Sequence, residues 1–490
     1  TTLFRSPPDA TLVFSFVGYQ EQTVELSGRQ EINVAMEQAI TELEEVVAVG
    51  YGTRERGMLT GSVSDIEGAN IEQSSEMNVA KSLQGKMPGL VINDRGGEPG
   101  SESFDLLIRG KSTLGNNSPL IVVDGVPQGS FSNLSPNDIQ SISVLKDASA
   151  AIYGARAANG VILVTTKRGS KNQETQIRFN ARYGVHTWTR LPEMMNSYQY
   201  ATYRNEVLQR YGMQPQWGDD EIEHFRKEDD PLNYPDTDWN DAVYNKWTPE
   251  SQYNLSATGG SEDIQYYISG EYRNEQTMYK SEAFEYNQYQ IRSNLDAQVT
   301  DYLEIGFNIS GRFEDNHRPR AGEGLFSLTQ TSEPFKVSYY PNGLPGIGGE
   351  HGRNPAILAT EDAGWRDNLD RIFNSKLSFN LNMDWITDGM ELSGYGAFDF
   401  NNGFNKVFNN TWTVYDYQNG NYVPQDGYDP ANYLYVDQST SSSKSSLYNV
   451  RLNYDRSFGD HNLSGFIAYE QLEGLSRDRK STRLNSSHYS

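Results

Sequence analysis

From about residue 171 the chain settles into an order that few folds can accommodate. Nine segments alternate in polarity with a period of two: 176–186, 252–258, 263–275, 286–299, 302–314, 371–386, 389–401, 446–457 and 460–471. Their connections alternate as well. Long ones (187–251, 276–285, 315–370 and 402–445) take turns with short ones at 259–262, 300–301, 387–388 and 458–459. Period-two alternation is the signature of a strand with two unlike faces. Ordinary strands average about five or six residues, and most of these are longer than ten.

The two faces separate cleanly. One carries Ile177, Phe179, Ala181, Tyr183 and Val185, then Ile264, Tyr266, Ile268 and Tyr272, then Leu303, Ile305, Phe307, Ile309 and Phe313. Leu377, Phe379, Leu381, Met383 and Trp385 continue it, followed by Val450, Leu452 and Tyr454. The other carries Arg178, Arg182, Glu271, Arg273, Arg292, Asp296, Glu304, Arg312, Lys376, Asp384, Arg451 and Asp455. A basic residue facing the middle of a bilayer costs about 2–4 kcal/mol, so in a transmembrane barrel the charged face lines the lumen. A lipid-free barrel would turn the apolar face inward around a ligand. The pattern predicts an antiparallel transmembrane barrel, with short turns at one rim and long loops at the other.

Bulk composition is compatible with this. The 490 residues include 31 tyrosines and 44 glycines, and mean hydropathy is −0.68. No run of 18 apolar residues offers a membrane helix, but barrel strands hide their apolar residues in alternation. A net charge of −24 argues against a nucleic-acid partner, which requires a basic face. With no cysteine, a disulfide framework and a thiolate metal site are both excluded.

Ahead of the strands, 58–170 reads as a compact α/β unit. A short helix is expected over 78–87, stopped by Pro88-Gly89, and Ser135-Pro136-Asn137-Asp138 has the form of a helix start. Buried strands are expected at 120–124, 142–146 and 161–166. Residues 143–169 read SVLKDASAAIYGARAANGVILVTTKRG: a strand, a small-residue helix that Asp147 can cap and that ends near Gly154, an Asn159-Gly160 turn, and a β-branched strand. This string, with Lys146, Asp147, Ala148, Tyr153, Gly154, Arg156, Asn159 and Gly160 as its signature, resembles the plug of TonB-dependent outer-membrane transporters, in the SusC/RagA branch. Ile108-Arg109-Gly110 resembles a further plug element of that family.

Two upstream segments extend the resemblance. Alternation across 10–37 resembles the end of the carboxypeptidase-regulatory-like β-sandwich that precedes the plug in many SusC-like chains. Glu44, Glu45, Val46, Val47, Ala48, Val49 and Gly50, in an acidic-then-β-branched run, resemble the TonB box, which couples by adding a strand to a partner's sheet edge. Residues 1–6 and 478–490 resemble translated sequencing-adapter DNA and are set aside from fold reasoning. The expected organisation is therefore a sandwich remnant at 7–38, a TonB-box linker at 39–57, a plug at 58–170 and the first part of an outer-membrane barrel at 171–477. Plugged barrels of this kind have about 22 strands. Nine cannot close, and the first and last would be open edges prone to aggregate.

Enzyme chemistry is not expected. Gly110-Lys111-Ser112-Thr113 lacks the earlier glycine of a phosphate loop, since Asp105 stands there. Asp236-Thr237-Asp238-Trp239-Asn240 imitates a calcium loop, but Asp241 replaces its glycine and Trp247 its closing glutamate. Gly96, Gly97 and Gly100 match no dinucleotide fingerprint. His186, His224, His317, His351, His461 and His488 are scattered without ligand spacing, and no Gly-x-Ser-x-Gly elbow occurs. Neither a metal nor a cofactor is expected.

The long loops hold aromatics among amides and carboxylates, a combination suited to neutral polar ligands, whose rings stack and whose hydroxyls amides can read. Trp217, Trp239, Trp365 and Trp412 are the substrate-binding candidates; packing of the loops themselves is the competing explanation. The resemblance implies TonB-driven import of a nutrient across the bacterial outer membrane, with the plug and TonB box toward the periplasm. An oligosaccharide is the default cargo and a peptide the runner-up. A siderophore or cobalamin receptor, or a non-transporting surface binding protein, are the other readings. Implied partners are TonB with ExbB and ExbD, a SusD-like surface lipoprotein and outer-membrane lipid.

Overall fold

A computed structural model describes residues 63–94, 98–100, 104–131, 134–322, 324–349, 353–426, 433–459 and 461–480, together with Val34 and four short strands near the start of the chain. Those four are β1 (Thr11–Phe14), paired with β2 (Gln22–Glu25), and β3 (Val46–Val49), paired with β4 (Gly52–Glu55). The rest of the sandwich segment lies outside the described residues, as do Glu44, Glu45 and Gly50 of the TonB-box segment.

The first described domain is built on a five-stranded mixed sheet in the order β5 (Val63–Glu67), β10 (Ile139–Leu145), β11 (Val161–Thr166), β8 (Leu120–Val123), β9 (Val126–Gln128). Beside it lies the hairpin of β6 (Leu90–Asp94) and β7 (Phe104–Ile108). From the sheet, Ile142, Val144, Ile162 and Val164 are among the residues of a core shared with Ile71, Val79, Leu83 and Phe131. The helix expected over 78–87 is shorter, Val79–Leu83, capped by Asn78 Oδ1 on Ala80 N at 2.9 Å. Gly85 and Gly89, both at positive φ, turn the chain into β6. The small-residue helix is a 3₁₀ stretch, Asp147–Ala157, broken at Gly154 (φ 66°, ψ −154°). Its cap position is Lys146 rather than Asp147, and no side chain caps it.

The second domain is one antiparallel sheet of nine strands in near-sequential order. They are β12 (Gln176–His186), β13 (Thr248–Gly260), β14 (Ile264–Gln276), β15 (Glu285–Thr300), β16 (Leu303–Pro319), β17 (Gly364–Asn382), β18 (Met390–Asn409), β21 (Tyr435–Phe458) and β22 (His461–Lys480). All nine expected strands are present, most of them longer than expected at the long-loop end. The connection read as 402–445 is mostly strand and contains the small hairpin β19 (Thr413–Gln418) and β20 (Asn421–Asp426). Met383, Asp384 and Trp385 fall in the turn after β17, where Asp384 Oδ1 accepts from Gly389 N at 2.8 Å. The sheet is open, with β12 and β22 at its edges. It is an incomplete barrel wall that curves around the first domain.

Burial settles which way the wall faces. The apolar face points away from the first domain: Ile177 and Tyr183 are 73% and 74% exposed. The charged face points at it: Glu271 and Arg292 are 8% and 5% exposed. A dry apolar interior within the sheet would have reversed these values. Along one ladder row the outward residues are Tyr253, Tyr272, Tyr289 and Phe313, and Tyr272 and Tyr289 ring centroids are 4.9 Å apart. Aromatic belts of this kind mark the interfaces of membrane barrels.

At the long-loop end, helices α1 (Ser197–Arg210), α2 (Asp219–Lys227) and α3 (Trp239–Val243) and the later loops build a core of their own. It contains Val243, Tyr244, Met278, Tyr279, Phe284, Leu325, Ile357 and Trp412. Burial pushes the Tyr244 phenol up to about 12, and burial beside Glu98 raises Tyr279 further. These loops form a packed cap.

Candidate functional site

The site is where the first domain meets the inner face of the wall. Ser135, Pro136, Asn137 and Asp138 form a 3₁₀ turn, with Ser135 Oγ accepting from Asn137 N. The turn aims two plug side chains at β14. Ser135 Oγ donates to Glu271, and Asn137 Nδ2 donates to the same carboxylate at 3.2 Å. Gln252 and Asn254 of β13 donate to Glu271 at 2.9 and 3.2 Å. Asp138, 1% exposed, accepts from Tyr267 at 2.8 Å, Ser269 at 2.6 Å, Gln290 at 3.2 Å and Arg292 at 3.3 Å. Arg292 is the cation nearest both Asp138 and Asp124, whose Oδ2 lies 3.9 Å away. A buried carboxylate without such donors would be costly, so the cluster holds only while the two domains are docked.

Neighbouring contacts extend the latch. Arg168 Nη1 reaches both carboxylate oxygens of Asp296, at 2.5 and 2.6 Å. The β8–β9 turn, Asp124-Gly125, has positive φ at both positions, a conformation suited to a tight hairpin. Its carbonyls are gripped from the wall: Lys376 Nζ donates to Asp124 O at 2.7 Å and Tyr395 OH to Gly125 O at 3.0 Å. Asp124 also accepts from Thr166 N and Oγ1, tying the turn to β11.

Above this grip, between Pro127–Ser130 of the plug and the wall, lies a cavity of about 430 Å³. Gln290, Asn374, Asn401, Ser443 and Ser445 line it. Its inward charged groups are already engaged: Arg292 with Asp138, Arg312 with Glu314 at 2.6 Å, and Asp399 with Asn374 at 2.7 Å; Lys444 borders the cavity from an outward position of β21. A polar wall with matched charges suits an uncharged, hydroxyl-rich ligand.

The residues singled out from sequence are distributed as follows. Lys146 Nζ donates to Ser64 Oγ at 2.6 Å and Pro88 O at 2.5 Å, inside the plug. Tyr153 is buried in the plug, and Arg156 pairs with Glu470 of β22. Asn159 bridges Asn116 O at 3.0 Å and Ser112 Oγ at 3.1 Å. Gly160 has φ 89°, and a Cβ there would stand 2.7 Å from Ile108 Cδ1. The side chains of Asp147 and Ala148 lie outside the described residues.

None of the four tryptophan candidates lines the cavity. Trp239 and Trp412 are 3% and 5% exposed; Trp239 Nε1 donates to Glu333 O. Trp217 packs on Tyr200, Phe225 and Phe335, and Trp365 on His317 and Phe408. The loop text resembling a calcium site is capping structure: Asp236 accepts from Ser197 N, and Asp238 from Asn240 N and Asp241 N. Among the described residues no group of three or more His, Asp or Glu is placed to hold a metal. In the sequence Asp138 is only the end of a helix start and Asp124 the end of a strand; their reach across to β14, β15 and β17 is what distinguishes them.

Comparison with known proteins places these features. Residues 56–161 match the TonB-dependent Receptor Plug Domain family. TonB-dependent receptor P26 of Formosa agariphila is 35% identical over 353 residues, covering 70% of this chain and 34% of that protein. TonB-dependent receptor SusC of Bacteroides thetaiotaomicron is 31% identical over 325 residues, covering 64% of this chain and 30% of that one. The chain thus spans about a third of the length of these relatives. Among solved structures, the RagAB peptide importer in its open-open state superposes with a TM-score of 0.71 at 21% identity, over 89% of this chain and 50% of that one. With the plug, the polar-inward wall and these relatives in hand, the chain belongs to the TonB-dependent receptor family, in its SusC-like branch.

Proposed function

We propose that the complete protein imports a polar nutrient, by default an oligosaccharide, across the bacterial outer membrane, and that TonB drives it. The observation that carries this is the inverted polarity of the wall: apolar residues outside, and inside it a charged network that closes only on the plug. In this reading the plug stoppers the barrel. Pulling on the segment around Glu44–Gly50 breaks the Asp138–Arg292 latch and the grip on Asp124-Gly125, and a polar path opens. The ordinary logic of strand addition lets residues 46–49 serve as the handle, provided their pairing with 52–55 gives way to the partner's sheet edge. TonB, with ExbB and ExbD, supplies the force, and a SusD-like lipoprotein covers the long-loop end. The plug and the handle face the periplasm, because the chain enters the wall at its short-turn rim, where Gly260 N bonds Gln173 O.

The amide- and hydroxyl-lined cavity, with its charges internally paired, favours neutral sugar as cargo. A peptide is the second reading, supported by the fold shared with the RagAB peptide importer. Deletion of residues 44–50 in the full-length protein tests the energised mechanism. Abolished uptake with retained surface binding is expected; uptake that survives the deletion sinks it. Competition between oligosaccharides and peptides for uptake separates the two cargoes.

A further inference from the structure

We infer that the outward face of β17, β18 and β21 carries a binding site for the phosphate headgroup of a membrane lipid, formed by Arg371 and Lys444. The inference rests on the wall lying in a membrane and is independent of what the protein transports. Ladder register fixes which residues face outward. On β17 the outward apolar run from Leu381 ends at Arg371; on β18 the run from Leu392 ends at Asn402; on β21 the run from Tyr454 ends at Lys444. On β14 the run from Ile264 ends at Asn274. Each spans about ten residues, which at about 3.3 Å per residue and a tilt of about 40° measures about 25 Å, the height of a barrel's apolar band. Arg371 and Lys444 therefore stand at the long-loop edge of that band, where headgroups lie.

Their charge is unusual for this surface. Among the described residues, the outward faces of β12 to β16 hold no lysine or arginine, and the edge above β15 and β16 is acidic, with Glu285 and Asp315. In a chain of net charge −24, a basic sector on β17, β18 and β21 selects an anion. The other outward cations of these strands are already occupied: Lys406 stands opposite Asp367 and 4.9 Å from the centre of the Trp365 ring, and Arg456, at the short-turn rim, pairs with Asp388 at 2.9 Å. Arg371 and Lys444 are exposed, and among the described residues neither forms an ion pair. Lys444 lies 5.7 Å from the centre of the Phe400 ring, a stance typical of a long cation lying along apolar surface with its head in water.

The ligand must also be amphiphilic. Phe373 follows Arg371 toward the band, in the ladder row that runs through Phe400 to Lys444, and Phe398 lies one outward position further in; Phe373 and Phe398 are 39% and 41% exposed. Apolar rings under two positive charges fit acyl chains beneath a phosphate. Free phosphate would use only half of the surface.

The test uses the full-length protein, delipidated in detergent, with lipid retention read by native mass spectrometry. The probes are dioleoyl phosphatidic acid, dioleoylglycerol and inorganic phosphate. Wild type is expected to hold phosphatidic acid at least tenfold more tightly than dioleoylglycerol, with no competition from millimolar inorganic phosphate. Arg371→Gln with Lys444→Gln should cut phosphatidic acid retention about tenfold, while Lys171→Gln at the opposite rim leaves it unchanged. Equal retention by the double variant and wild type overturns the site, and so does displacement of the lipid by inorganic phosphate. Nutrient uptake by the double variant is expected to be unchanged, which keeps this result separate from the transport reading.

Discussion

The plug and the wall use the same side chains in opposite ways. In the plug, Ile142 and Val144 are fully buried between sheet and helices. In the wall, Ile268 and Ile291 are 52% and 59% exposed, while Arg292, next to Ile291 in the chain but on the opposite face, is enclosed. The plug was built for water outside and a dry centre. The wall was built for hydrocarbon outside and a polar centre filled by the plug. The hydrophobic effect acts on both, but only the first domain satisfies it by itself; the second needs a bilayer.

That contrast can be broken in graded ways. The largest effect is expected from Ile142→Asp, which buries an unpaired charge in the plug core and should cost about 4 kcal/mol or more. Denaturant titration of the full-length protein would read it, and a loss below about 1 kcal/mol would mean that the core is misassigned. Arg292→Met should follow, at about 3 kcal/mol, because it strands Asp138 among neutral donors. Its signature is selective: protease susceptibility within 63–166 rises while the strands stay protected. Comparable in size, Ile268→Arg should cost about 2–4 kcal/mol in a bilayer, since the side chain faces lipid. In a water-filled surround the same change would be nearly neutral. Refolding into vesicles and into detergent-free buffer therefore tells whether the wall is a membrane surface.

Much of this was legible in the sequence. Period-two alternation is local, so Ile177 through Val185, or Leu303 through Phe313, announced a two-faced strand without any knowledge of partners. Short turns were equally local, and all nine strands lie where the pattern placed them. The plug's strands at Leu120–Val123 and Val161–Thr166 were betrayed by their β-branched runs. The loops were harder. Trp239 and Trp412 sit among amides in sequence, as ligand-stacking residues would. Their burial comes from helices and strands dozens of residues away, so composition alone could not separate packing from binding.

The residues by themselves determined the elements, the polarity of each face and the likeness to a plugged transporter, because these depend on spacing over a few positions. Only tertiary structure decided which plug oxygen, the carboxylate of Asp138 or the backbone carbonyl of Asp124, meets which cation of the wall. Asp138 and Arg292 are 154 positions apart, and Asp124 and Lys376 are 252 apart. Contacts at that range are set by sheet register and by how the plug seats in the wall, and a shift of one residue would turn the wall strands' latch side chains toward the lipid.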